Sequence, residues 1–410
     1  MRRLLPIAAA LALAAAPAAE ASSKYVVKGH GDGHGIGMSQ WGAYGYAKHG
    51  FAYDQILAHY YKGTTLGSSA GKQIRVLLES GRGSISFTGA TRAGSKKLSR
   101  TRTYTARPAF GAVVLRYGSK QVGSFSTPLR VTSSKGSLRL GGRALNGISN
   151  GAYRGTLELR SGGGTLMAVN ALAPDDYVKG VVPGEVSSSW PAEALKAQSV
   201  AARSYGLSTH ASSAFDQYPD TRSQVYDGMS AETTPTNAAV DATAGQVVLY
   251  GGKVAVTYFF GASGGRTENV ENVFYGSPPA PYLKSVKDPY DGGAPRHKWT
   301  RRFTKRQVAA RLGGLVKGSF RGIRVVKRGR SPRIVSADVV GSRGSTRVRG
   351  STLKARLGLY DTWATFPSLK SAGHQPATVA EGSAPPPAPA AATPAPSAPS
   401  ARKPVAEDDS

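Results

Sequence analysis

The chain has 410 residues, a formal net charge of +29 and no cysteine. That length admits one large domain or two. The absence of cysteine excludes disulfides and thiolate metal sites, so stability has to come from a buried core. A surplus of positive charge this large draws polyanions toward the protein.

Residues 1–21 read as a secretory signal peptide. Arg2-Arg3 form its basic end, Leu4 to Ala18 its apolar stretch, and Ala19-Glu20-Ala21 a small-x-small cleavage site. The stretch is alanine-rich, interrupted by Pro6 and Pro17, and shorter than the roughly 20 residues of a spanning helix. No later run is apolar and long enough to span a bilayer, so no membrane span is expected after cleavage. For an exported chain of this charge, the expected partner is an anionic polymer outside the membrane and not nucleic acid.

Glycine stands at alternate positions through Gly29-His30-Gly31-Asp32-Gly33-His34-Gly35-Ile36-Gly37. Such a run bends sharply or lets a ligand come close. His30, Asp32 and His34 invite a metal reading, but alternate glycines predict a flexible loop instead of a rigid ligand face. Ser39 is predicted to cap one helix and Asp54 a second, running through Tyr61. Between 72 and 170 short strands are predicted at 74–78, 84–87, 112–117, 128–131, 138–140, 155–159 and 166–172. The lysines and arginines of 92–107 read as solvated connections. Asp175-Asp176 then precede Tyr177.

The densest chemistry lies in 177–205. An apolar run, Val178 to Val182, stops at Pro183-Gly184, and Glu185 follows on a short polar loop. Trp190-Pro191 opens a helix with Glu193 in its first turn. Leu195, Gln198, Ala202 and Tyr205 share one face, while Lys196 and Arg203, two turns apart, share another. A glutamate partly desolvated beside a helix has a raised pKa and can act as a general acid; nearby cations would keep it ionised instead. From the residues alone, an ordinary surface carboxylate stays open as the alternative.

Residues 211–228 form a polar loop in which Asp216 and Asp220 read as turn stabilisers. A helix is predicted over 233–243 and a hairpin over 247–249 and 253–260, around Gly251-Gly252. The Ser263-Gly264-Gly265 turn presents N–H groups and a hydroxyl at a strand end. A helix (305–312), strands (323–326, 334–340, 345–349) and a last helix (353–360) follow. From Ser371 the alanine, proline and serine composition predicts a disordered tail.

Three of these stretches resemble one family. Gly-Val-Val-Pro-Gly-Glu (180–185) and Trp-Pro-Ala-Glu-Ala-Leu-Lys-Ala-Gln-Ser-Val-Ala-Ala-Arg-Ser-Tyr (190–205) are similar to the signature of the stage II sporulation protein D family. Ser263, Gly264, Gly265, Thr267 and Glu268 match its Ser-Gly-Gly-x-Thr-Glu, and Gly33 to Ala43 its Gly-His-Gly-x-Gly-Met-Ser-Gln-aromatic-Gly-Ala. The resemblance implies a lytic transglycosylase acting on peptidoglycan glycan strands, or an enhancer of a cell-wall amidase. It implies Glu185 as catalytic acid, with Glu268 as second choice and Lys196 and Arg203 near it. The expected substrate-binding set adds Tyr258, Ser263, Gly264, Thr267, Glu268, His34, Ser39, Gln40 and Trp41. Some relatives bind zinc around the loop matching 211–228; with no cysteine and only His210 there, no metal and no cofactor is expected.

In most members the Gly-Met-Ser-Gln motif closes the catalytic domain, whereas here it stands first. The expectation is a circular rearrangement in an α+β protein. Residues 22–66 would complete a catalytic domain at 171–366, with a β-rich basic region at 67–170 and the tail at 371–410. The protein would be secreted or wall-associated.

Overall fold

The computed structural model describes residues 24–369 apart from 70, 71 and 135; the expected signal peptide and tail lie outside these residues. The architecture is mixed α+β.

Residues 74–172 form two six-stranded sheets. One runs in the order Lys120–Ser126, Ala112–Tyr117, Tyr104–Ala109, Ile85–Thr88, Leu138–Leu140, Ala152–Tyr153. The other runs Ile74–Arg82, Thr165–Leu172, Thr156–Gly162, Leu129–Thr132, Arg92–Ala93, Lys96–Lys97. Alternate residues point inward, so Ile85, Phe87 and Leu115 meet Val76, Leu78 and Leu159 in one core. The region 92–107 is therefore not all connection. Tyr104 and Ala106 are buried, while Arg107, next along the same strand, faces water. Basic residues on the outer face masked that alternation.

The helices gather around one member. Helix α1 spans Gln40–Lys48, α2 Tyr53–Tyr60, α3 Pro174–Glu185, α4 Ala192–Ser208 and α5 Thr234–Ala242. Helix α4 touches the other four and the strand Gln246–Tyr250. Its alanines and Gly206 permit such close approach on most faces, and Ala194, Ala197, Val200, Ala201 and Ala202 are all buried. Ser39 caps α1 by accepting from Gly42 N–H at 3.1 Å. Asp54 does not cap α2; the cap is Ala52, and Asp54 sits in the first turn. The run ending at Glu185 is also helical. Pro183 lies inside the last turn of α3 and the helix continues past it, so Glu185 closes a helix and is not on a loop.

A single turn, α6 (Val270–Val273), leads toward the third group. Strand Lys24–His30 lies between Lys298–Thr304 and Ala364–Thr365, antiparallel to both. Beside them Phe320–Arg328, Ile334–Gly341 and Gly344–Arg349 form a three-stranded sheet. Helices α7 (Lys305–Leu312) and α8 (Gly350–Leu357) share its core. The predicted hairpin strand ends early, at Val254, and Phe259–Phe260 pairs instead with Met38–Ser39 in parallel. That bridge joins the glycine-rich segment to the helical group.

The glycine run is a tight wrap, not a flexible loop. Gly35 has φ +87°, and a Cβ there would lie 2.5 Å from Arg333 Nε. Gly37 has φ +74°, and a Cβ would fall 2.0 Å from the Tyr258 carbonyl oxygen. Both positions demand glycine for conformation and for space. Among the described residues no helix is long and apolar enough to cross a membrane.

Candidate functional site

Glu185 is half-buried, and its two oxygens have different partners. Oε1 accepts from the Val225 backbone N–H at 2.9 Å, and Oε2 faces Gln40 Nε2 at 3.4 Å. Gln40 is the first residue of α1, so the glycine-rich segment and the end of α3, far apart in sequence, meet at this carboxyl. Burial raises the Glu185 pKa most; the Val225 and Gln40 contacts pull it down, and the charge of Asp227 pushes it up again. Asp227 is itself raised by burial. A carboxyl in this setting holds a proton to higher pH than a free glutamate.

A cavity of about 310 Å³ is lined by His34, Tyr205, Arg222, Gln224, Tyr258 and Phe274 among others, and Glu185 itself does not line it. Gln224 precedes the residue that holds Glu185, and Tyr205 feels the Glu185 charge. On the other side, Trp41 follows Gln40 directly. Its ring lies 5.2 Å from Trp190 and 5.4 Å from Tyr44. The three half-buried rings pack edge-on and tilted as one aromatic cluster.

The remaining expected site residues have other duties. Lys196 pairs with Glu193 at 2.7 Å, and Glu193 also accepts from Tyr53 N–H. Lys196 is thus held by a neighbour one turn away, not by Glu185. Arg203 is wholly buried and donates to Asp175 at 2.7 Å and to the Gln246 carbonyl at 3.0 Å. It ties α4 to α3 and cannot reach substrate. Glu268 is fully buried and accepts from Ser331 N–H, Arg330 N–H and Asn272. Both of its oxygens are consumed, which removes it as a second acid.

Thr267 is spent on Val286 N–H, and Ser263 on Gly265 N–H. Gly264 N–H donates to Asp291, as does the Ser39 hydroxyl. Ser39, Ser263, Gly264, Thr267 and Glu268 therefore build the wall behind the site and do not face a ligand. Of the other expected residues, His34 and Tyr258 line the cavity, while Gln40 meets Glu185 and Trp41 packs on Trp190.

Two participants escape a side-chain reading. The Val225 N–H is a backbone donor. Asp227 carries no mark beyond its place in Ser223-Gln224-Val225-Tyr226-Asp227-Gly228. Tyr44 and Trp190 were legible only as aromatics near recognised motifs.

His30, Asp32 and His34 do not converge. His30 stacks on Trp363, Asp32 pairs with Arg296 at 2.6 Å, and His34 Nδ1 accepts from Ile36 N–H at 3.0 Å. Among the described residues no three His, Cys, Asp or Glu side chains gather as a metal site would require. Burial, then Lys354 and Arg333, push the His34 imidazole down to about 3. An unfolded histidine titrates near 6.5, so between these values the unfolded chain binds a proton that the fold refuses. His34 thus adds a loss of stability as pH falls from about 6.5 toward 3. His34→Gln is expected to shrink the difference in urea midpoint between pH 7.5 and pH 4.5; an unchanged difference would contradict the buried neutral ring.

Residues 162–250 match the family model described as Stage II sporulation protein. Stage II sporulation protein D of Bacillus subtilis is 31% identical over 210 residues, 47% of this chain and 60% of that protein. The Amidase enhancer of the same organism is 38% identical over 143 residues, 35% of this chain and 19% of its own length. An uncharacterised protein of Brachyspira hyodysenteriae is 43% identical over 149 residues, 35% of this chain and 39% of that one. The residues matched by the family model include Glu185, Val225 and Asp227. The likeness to the stage II sporulation protein family is thus a likeness of one segment of the chain, residues 162–250. The aligned parts span less than two thirds of each relative's length.

Proposed function

We propose that this chain cleaves peptidoglycan glycan strands by lytic transglycosylation, with Glu185 as the one acid and base, after export to the wall. The observation that carries the reading is the half-buried Glu185 carboxyl, raised in pKa and met by the Val225 N–H and the Gln40 amide, with no ion-pair partner among the described residues. Protonated Glu185 gives its proton to the glycosidic oxygen as the C1–O bond breaks. The sugar cation is captured by its own 6-hydroxyl, whose proton returns to Glu185. The product is a 1,6-anhydro end, and no water is consumed. One carboxylate suffices, where a hydrolase works with two. Strands stripped of stem peptides expose lactyl carboxylates, which suit a chain of this charge. The glycine-rich segment, read as a rearranged piece of the domain, supplies Gln40 and Trp41.

Incubating purified glycan, with and without stem peptides, tests this reading: anhydromuramic ends are expected on stripped strands. A second reading is favoured by the relative named Amidase enhancer. Under it the chain makes no new glycan ends and instead speeds an N-acetylmuramoyl-L-alanine amidase.

The acid role fixes a pH dependence. Glu185 works protonated, so the rate falls on the alkaline side of its raised pKa. Asp227→Asn removes a negative charge that favours the protonated form, so the Glu185 pKa drops and the alkaline limb moves to lower pH. A pH–rate profile unchanged in this variant would sever Asp227 from the acid.

A further inference from the structure

We propose that the open face of the sheet Phe320–Arg328, Ile334–Gly341, Gly344–Arg349 is a docking surface for a linear phosphodiester polyanion of the wall, a polyol-phosphate chain. Residues 292–360 hold 19 lysines and arginines against one carboxylate, Asp338. The register sets out part of this surplus in two rows. Arg324, Asp338 and Arg347 are cross-strand partners, as are Lys327, Ser336 and Arg349. Asp338 lies two residues from Ser336, so both rows share a face. The opposite face is closed by Ile323, Ala337, Val339 and Val348 in the core.

Asp338 accepts from Arg324 at 2.9 Å and from Arg347 on its other oxygen. These pairs do not spend the cations, since Arg324 remains 60% exposed and Arg347 59%. Lys327 and Arg349 are exposed beside them. Four cations thus surround one carboxylate.

Three of the four are arginines, whose planar forks bind phosphate oxygens in pairs. Their spacing is that of a sheet, roughly 7 Å along a strand and about 10 Å across the three strands. An extended chain with a charge on every short repeat meets several of them at once. Nucleic acid is the poorer occupant, because single strands are gripped by stacking bases on open rings. Neither row presents a ring, and the neighbouring exposed Tyr275 has one face against the Arg349 guanidinium at 3.7 Å.

The choice of a wall polymer rests on the cell-wall reading, but the binding needs no catalysis. The test uses the full chain and poly(glycerol phosphate), by calorimetry at 50 and 300 mM NaCl. Wild type and Glu185→Gln are expected to bind alike, and both more weakly at the higher salt. The double variant Lys327→Gln, Arg349→Gln leaves the Arg324–Asp338–Arg347 row intact and is expected to bind roughly tenfold more weakly. Lys305→Gln with Arg306→Gln, an equal charge removed from exposed positions of α7, should stay close to wild type. The proposal is overturned by absent wild-type binding, by an unchanged Lys327/Arg349 variant, by equal weakening in the α7 variant, or by tighter binding to polyuridylate. Failure of Glu185→Gln to cleave glycan, or of wild type to do so, leaves this result untouched.

Discussion

Glu185→Gln is expected to lower glycan cleavage by about 10²- to 10⁴-fold, the range a positioned general acid contributes. The two side chains are nearly isosteric, so the amide oxygen can keep the Val225 N–H contact while the transferable proton is gone. Folding should not suffer. Burial opposes the ionised form of Glu185 in the native protein, and a neutral amide escapes that penalty. Initial rates on stripped glycan, with a thermal midpoint within a degree or two of wild type, would match this account. A variant that folds and cleaves at the wild-type rate would remove Glu185 from the chemistry.

The largest stability effect is expected at Arg333. Its guanidinium is 1% exposed and faces Asp361, which is wholly buried. Nε and Nη2 donate to the two Asp361 oxygens at 2.9 and 2.8 Å, and the remaining N–H groups serve the Ser263 and Arg266 carbonyls at 2.9 and 2.6 Å. Arg333→Met strands a buried carboxylate whose proton affinity burial already raises, and leaves two carbonyls without donors. A broken buried pair of this kind costs about 3–5 kcal/mol. Arg333→Met with Asp361→Leu should lose clearly less, because the orphaned charge is gone with its partner. Equilibrium urea unfolding of both variants checks the pair. Equal losses would mean that the carbonyl contacts, and not the ion pair, dominate.

Much of this site was open to a reader of the sequence, and what stayed hidden did so for physical reasons. Glu185, Gln40 and Trp41 were picked out by motif, and the fold brings the three to one place across the chain. Ser39 as a helix cap, the strands at 112–117 and 138–140 and the helix at 305–312 follow from local chemistry that tertiary packing did not override. Arg203 and Glu268 show the limit of motif reading. Periodicity places Arg203 on a helix face but does not say whether that face meets solvent or Asp175. A matched carboxylate looks the same in a sequence whether its oxygens are free or, as in Glu268, held by Ser331 and Arg330.

The glycine run misled for a related reason. Alternate glycines signal freedom in a chain considered alone; beside Arg333 and Tyr258 they signal the absence of room. The Val225 N–H was invisible because every residue but proline carries the same donor. Pro183 read as a stop because a proline within a helix removes a donor to the preceding turn, yet α3 continues through it to Glu185.

The measurement that reaches the central claim most directly is digestion of stripped glycan in ¹⁸O-labelled water, followed by mass spectrometry of the new ends. Capture by the substrate's own 6-hydroxyl predicts 1,6-anhydro ends with no label. Reducing ends carrying ¹⁸O would contradict it and make the chain a hydrolase, with Asp227 the neighbouring carboxylate to examine as the second group.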